Sequence, residues 1–158
     1  MTKKFEFTGE TKTIQLAFRT VTLHRIRAVA EFGLIKVGDL GGWLEKEENL
    51  SQEGESWVCG NAKVWGNAKV RGNAEVWGDA EVFSVSHVMV IGAIGSRSDF
   101  TTFYRGKDKQ IMVKCGCFNG NIDEFINKVQ KTHGDNKYAL VYRAAVEVAK
   151  LQIKLDDE

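Results

Sequence analysis

The sequence predicts a mainly β chain with a C-terminal α region: a short triangular β-helix flanked by N-terminal strands and followed by a hairpin and two helices. Three observations predict it. Four hexads follow one another without a gap, Val58-Cys59-Gly60-Asn61-Ala62-Lys63, Val64-Trp65-Gly66-Asn67-Ala68-Lys69, Val70-Arg71-Gly72-Asn73-Ala74-Glu75 and Val76-Trp77-Gly78-Asp79-Ala80-Glu81. The 158 residues include no proline, where average usage near 5% would give about eight. Beyond Asn121 the six-residue period is gone and apolar residues take helical spacing.

In such a hexad the aliphatic residue points inward, alanine fits the crowded corner, and Gly-Asn or Gly-Asp supplies backbone that tolerates positive φ. Three hexads make one coil. Residues 18 apart should therefore stack: Val58 under Val76 and Ile94, Val64 under Val82, Val70 under Val88, with Lys63 beside Glu81 and Trp65 beside Phe83 outside. Proline would remove a ladder donor at each rung, so its absence suits continuous parallel pairing. The Gly and Asn positions degenerate after Phe83, although the apolar phase continues through Val88 and Ile94. About two to two and a half coils, fewer than the ~3 units a solenoid usually needs, require caps, from the flanks or from a partner chain. Trp57, Trp65 and Trp77 sit at outward positions, which suits a subunit interface, cover beneath the C-terminal helices, or ligand stacking.

Upstream, residues 15–18 and 23–29 alternate as strands, and residues 37–44 form a turn-rich approach. Residues 45–55 carry five glutamates against Lys46 and read as a solvated loop. Downstream, residues 100–104 and 110–115 predict a hairpin joined by the turn 105–109. A helix over 122–131 has Asn121 as N-cap and stops at residues 132–134. A second, over 136–155, carries the stripe Ala139, Tyr142, Val146, Ala149, Ile153. The chain thus divides into an N-terminal cap (1–56), the repeat (57–94) and a ββαα region (95–158).

Net charge is +1, and no apolar run is long enough for a membrane span or signal core. Three cysteines in a chain of this kind read as reduced thiols in a cytosolic setting. Near-neutral charge argues against general nucleic-acid binding, yet residues 95–115 hold five basic and two acidic side chains. There Ser96, Arg97, Asp99, Thr101, Thr102, Tyr104 and Arg105 form the best candidate site: hydroxyls, one carboxylate and two guanidinium groups suited to a phosphate-bearing ligand. Cys115 and Cys117 with Cys59 and His133 lack zinc-knuckle spacing, so no metal is expected, and no cofactor motif occurs.

Residues 37–45 leading into the hexads, then Gly95-Ser96-Arg97-Ser98-Asp99, Val113-Lys114-Cys115-Gly116-Cys117-Phe118 and the terminal helix pair resemble small hexapeptide-repeat proteins encoded by bacteriophages and prophages. The resemblance covers roughly residues 23–153. It implies a left-handed β-helix, a phage origin, a place in the host bacterial cytoplasm and a homo-oligomer. It also implies an accessory protein that counters host defence, binding a small anionic nucleotide-type signal or a host protein without catalysis. Because the repeat is shared with acyltransferases, it implies as an alternative an acyl-CoA-dependent enzyme with His87 as base, and as another a structural or assembly protein.

Overall fold

The computed structural model describes residues 3–155. The chain is mainly β with two C-terminal helices. It runs β1 (Phe5–Gln15), β2 (Thr20–Ala28), β3 (Leu40–Leu44), β4 (Trp57–Val58), β5 (Lys63–Val64), β6 (Glu75–Val76) and β7 (Glu81–Val82). Then follow β8 (Val88–Ile94), β9 (Asp99–Arg105), β10 (Ile111–Cys115), β11 (Phe118–Asn121), α1 (Ile122–His133) and α2 (Lys137–Gln152).

The hexads build parallel ladders in the expected register. Val58 pairs with Val76, Val64 with Val82 and Lys63 with Glu81. At every second residue an amide donates to the carbonyl seventeen residues ahead: Glu55 to Gly72, Trp57 to Ala74, Cys59 to Val76, Asn61 to Gly78, Lys63 to Ala80 and Trp65 to Val82, all at 2.8–3.2 Å. Gly60, Gly66, Gly72 and Gly78 hold φ between 62° and 71°, the left-handed corner that a Cβ disfavours. Between corners the valines and Ala62, Ala68, Ala74 and Ala80 are buried.

The ladders begin upstream of the recognisable hexads. Leu44 pairs with Val64 and Leu50 bridges to Val70, both in parallel, and both leucines are buried. Gly54 takes φ +72 and lies against Gly72. The acidic stretch 45–55, expected as a solvated loop, is therefore a layer of the repeat, with Glu47, Glu48, Glu53 and Glu55 exposed and Glu45 accepting from the Gly66 amide at 2.9 Å. Its period was hidden because Leu50 and Val58 are separated by two more residues than a hexad allows. Asn49, fully buried, braces this layer by donating to the Gly66 and Ala68 carbonyls at 3.2 and 2.9 Å.

Two expected stacks do not form. Val88 pairs antiparallel with Tyr104, and Ile94 with Asp99. The reason lies at Ser84, which stands where a corner glycine would continue the phase. It is extended (φ −145°) and caps a single 3-10 turn, Val85–His87, so the chain leaves the repeat instead of turning again. Of residues 15–18, Gln15 ends β1 and 16–18 belong to the β1–β2 turn rather than a strand, closed by Leu16 N–H to the Arg19 carbonyl at 2.8 Å. The strand lies earlier, over the alternating Phe and Thr residues of β1.

Both ends of the repeat are covered by the chain itself. Phe5, Ile26 and Ala28 of the β1–β2 hairpin share a core with Leu44, Leu50 and the valines, while Val88, Tyr104 and Met112 close it from the other side. The antiparallel sheet β11-β10-β9-β8 alternates in the usual way: Tyr104 and Met112 face the repeat, Phe103 and Val113 face the helices. Asn121 and Glu124 form the reciprocal cap of α1 at 2.9 Å each way, and Asn136 caps α2 through the Ala139 amide. Of the expected stripe, Ala139, Val146, Ala149 and Ile153 are buried and Tyr142 is partly so. Among the described residues no helix is long and apolar enough to cross a membrane.

Lys4 fastens the N-terminal segment beneath the first layer. Its Nζ donates to the Ser56 carbonyl at 2.7 Å and to Ser56 Oγ at 3.2 Å, and sits 4.9 Å from the Phe32 ring centre. Burial pushes its pKa down from 10.5 to about 8. Between those values the unfolded chain binds a proton that the folded chain does not, so stability should rise with pH across that window. Urea melts at several pH values should show wild type gaining on Lys4→Met from about pH 8 upward, and the two running parallel below. Leu50→Ala should lose about 2–5 kcal/mol as a core truncation; a solvated loop position would lose no more than about 0.5 kcal/mol.

Candidate functional site

The seven residues singled out in the sequence separate into two groups. Thr101, Thr102, Tyr104 and Arg105 lie on β9 and are buried. Thr102 Oγ1 accepts from the Glu75 amide at 3.0 Å, and the Tyr104 hydroxyl accepts from Asn119 Nδ2 at 2.6 Å. Arg105 donates to the Glu81 carbonyl at 2.9 Å and to the Leu155 carbonyl at 3.3 Å, with its guanidinium 5.0 Å from the Phe83 ring centre. Thr102 and Arg105 thus bracket the repeat to the sheet, while the Thr101 and Tyr104 hydroxyls are bonded within the sheet. The reason is that β9 is covered on both faces, by the repeat and by the helices, so its polar atoms must find internal partners.

Ser96 and Arg97, on the β8–β9 turn, and Asp99, at the start of β9, stay exposed and line a cavity of about 320 Å³. Three other segments complete it. The β10–β11 turn brings Cys115, Cys117 and Phe118; α1 brings Phe125, Lys128, Thr132 and His133; α2 brings Tyr142. The aromatic wall is continuous: Phe118 lies 5.5 Å from Phe125, Phe125 meets Tyr142 edge-on at 5.5 Å, and His133 stacks near Tyr142 at 6.0 Å. Arg97 and Lys128 place two cations at the rim against the single carboxylate of Asp99.

Gly95 makes this wall possible. A Cβ built there would meet the Tyr142 hydroxyl at 1.9 Å, and the residue holds φ +83. Tyr142 thereby reaches under the turn, with its hydroxyl 4.0 Å from Cys115 Sγ. Burial first, then Cys115 and the Asp99 charge, push the phenol up to about 12, partly offset by Arg97. It remains a neutral hydrogen-bonding group at physiological pH.

Larger depressions of about 540 and 610 Å³ run along the first-layer corners, sharing Glu48 and Lys69. Their charges are of mixed sign and no aromatic residue lines them. Aromatic side chains meeting a few convergent polar groups are the better mark of a ligand site, which favours the smaller cavity.

His87 is fully buried, its Nδ1 accepting the Phe83 amide at 3.0 Å and its ring edge-on to Phe83 at 4.5 Å. That bond takes up the Nδ1 lone pair a general base would use, and the ring has no exposed surface. Trp57 is buried edge-on to Phe32 at 5.2 Å, and Trp65 is buried against Phe83 in a 4.9 Å stack. Trp77 is partly buried, with Lys114 Nζ 4.7 Å from its ring centre. Their covers are the chain's own caps. Among the described residues no group of three or more His, Cys, Asp or Glu is placed to hold a metal ion.

Lys128, Thr132, His133, Tyr142 and the aromatic wall were not singled out together in the sequence, because they come from helices whose only sequence signal is amphipathicity. No protein-family model and no curated protein matches the chain.

Gly95→Ala should cost about 1–3 kcal/mol through the backbone conformation alone, with the collision against Tyr142 added. Because ring Cζ of Tyr142 also lies 2.6 Å from that Cβ, the collision is removed only with the ring: measured by thermal melts in a Tyr142→Ala background, the penalty of Gly95→Ala should fall to the backbone share.

Proposed function

We propose that this is a non-catalytic binding protein for a small anionic ligand of nucleotide type, held in the cavity between the β8–β9 turn, the β10–β11 turn and the helix pair. The observation that carries it is the meeting of Arg97 and Lys128 with the ring wall of Phe118, Phe125 and Tyr142 in one cavity. Guanidinium and ammonium groups suit phosphate oxygens, and aromatic faces suit a base. The volume, about 320 Å³, lies at the small end of the ~300–1,000 Å³ typical of ligand sites, so one nucleotide unit fits and a second would protrude.

In this reading the three ladders are the sides of a short left-handed triangular β-helix that serves as scaffold. The protein acts as a homo-oligomer in the host bacterial cytoplasm, where sequestering an immune nucleotide would counter host defence, as the resemblance to phage accessory proteins implies. The burial of His87 weighs against the acyltransferase alternative.

Calorimetry and thermal shift with nucleoside monophosphates, cyclic dinucleotides and ADP-ribose-type compounds test the reading. Stoichiometric binding is expected, with ligand recovered unchanged after denaturation. Arg97→Ala and Lys128→Ala should each weaken it at least tenfold, about 1.4 kcal/mol. Arg105→Ala should instead lower the melting temperature of the unliganded protein. Recovery of a modified ligand, or binding indifferent to both rim cations, would overturn it.

A further inference from the structure

Two thiols line the same cavity wall, and the binding reading makes no use of them. Gly116 and Cys117 are the two turn residues between the paired Cys115 and Phe118, with Gly116 at φ +57. Chain reversal there keeps the Cys115 and Cys117 Cα atoms closer than the ~7 Å that two extended residues span. A disulfide needs about 4.4–6.8 Å between its Cα atoms, a separation that such a reversal can reach. Both residues line the cavity, and Cys115 packs against the helix-side core. Cys117 is exposed and Cys115 half-buried, with Thr101 Oγ1 donating to Cys115 Sγ at 3.4 Å. Cys59 differs: it lies against the repeat core, where burial pushes its thiol up.

We propose that Cys115 and Cys117 form a redox-active dithiol that closes reversibly to a disulfide across the β10–β11 turn, with a low-molecular-weight disulfide of the glutathione type as oxidant. The accessible Cys117 thiolate attacks one sulfur of the oxidant; a protein mixed disulfide forms, the oxidant's S–S bond breaks and one thiolate leaves. Cys115 thiolate then attacks Cys117 Sγ, forming the internal S–S bond and expelling the second thiolate. The two cysteine protons end on the two departing thiols, so the protein loses two electrons and the oxidant gains two. Closure removes the Cys115 thiol beside Tyr142 and tightens the turn that carries Phe118, so the oxidised cavity differs from the reduced one. This inference is independent of what the cavity binds.

The experiment treats the full chain with oxidised glutathione, alkylates remaining thiols and maps the peptides by mass spectrometry. Expected is a Cys115–Cys117 link, reopened by dithiothreitol, formed equally by Cys59→Ser and absent from Cys115→Ser and Cys117→Ser. Cys115→Ser should stop at a glutathione adduct on Cys117. Phenylarsine oxide, which bridges neighbouring thiols, gives a readout on the unaltered reduced protein: one equivalent bound and displaced by a small dithiol. A wild-type protein that keeps a stable adduct on Cys117 with Cys115 still alkylatable, that links through Cys59, or that takes up no arsenical overturns the proposal.

Discussion

The parallel ladder between residues 18 apart is the constraint on which the rest of the molecule depends. Every second amide from Glu55 to Trp65 donates to a carbonyl in the next layer, and each corner is turned by a glycine at positive φ. The two requirements are linked, because a donor can face its acceptor one layer up only if each corner bends by the same amount. Lacking both a Cβ and any proline nearby, the chain meets them repeatedly. Where Ser84 replaces the corner glycine, backbone geometry fails and the ladder ends at once, despite valines still in phase.

A stack this short has a large end area relative to its core. The chain solves this by covering both ends with different structures, a hairpin below and an antiparallel sheet above. The lower cover is fastened by Lys4 to the Ser56 carbonyl, the upper by Arg105 and Thr102 to backbone groups of the repeat. These buried polar contacts have no apolar substitute, since each satisfies a main-chain group that the ladder leaves open at its edge. The tryptophans that project from the hexads are absorbed by the same covers, with Trp65 stacked on Phe83 and Trp57 against Phe32.

The upper sheet has a second task. One face closes the repeat, so the other can carry the helices, and the cavity lies where its two turns meet them. Ser96, Arg97 and Asp99 were legible because hydroxyls, arginine and carboxylate crowd a turn. Thr101, Thr102, Tyr104 and Arg105 carry similar chemistry in sequence, yet strand burial on both faces gave their polar atoms internal partners, in the sheet or in the repeat. Lys128, His133 and Tyr142 were illegible as residues of that cavity, since their meeting with Arg97 depends on how α1 and α2 cross the sheet.

Taken alone, the sequence determined what depends on a few neighbouring residues: the hexad corners, the 18-residue register of Val58 with Val76 and Val64 with Val82, and the asparagine caps of both helices. These are set by local backbone preference and short-range hydrogen bonds, and so are written in adjacent letters. Only the tertiary structure decided where the ladder starts, which valines leave it, and which polar groups share a cavity. Leu44 and Leu50 join the repeat across an eight-residue step that breaks the visible period. Val88 leaves it because pairing with β9 is open to it and a further corner is not. Such choices rest on contacts between distant segments, whose geometry no local pattern records.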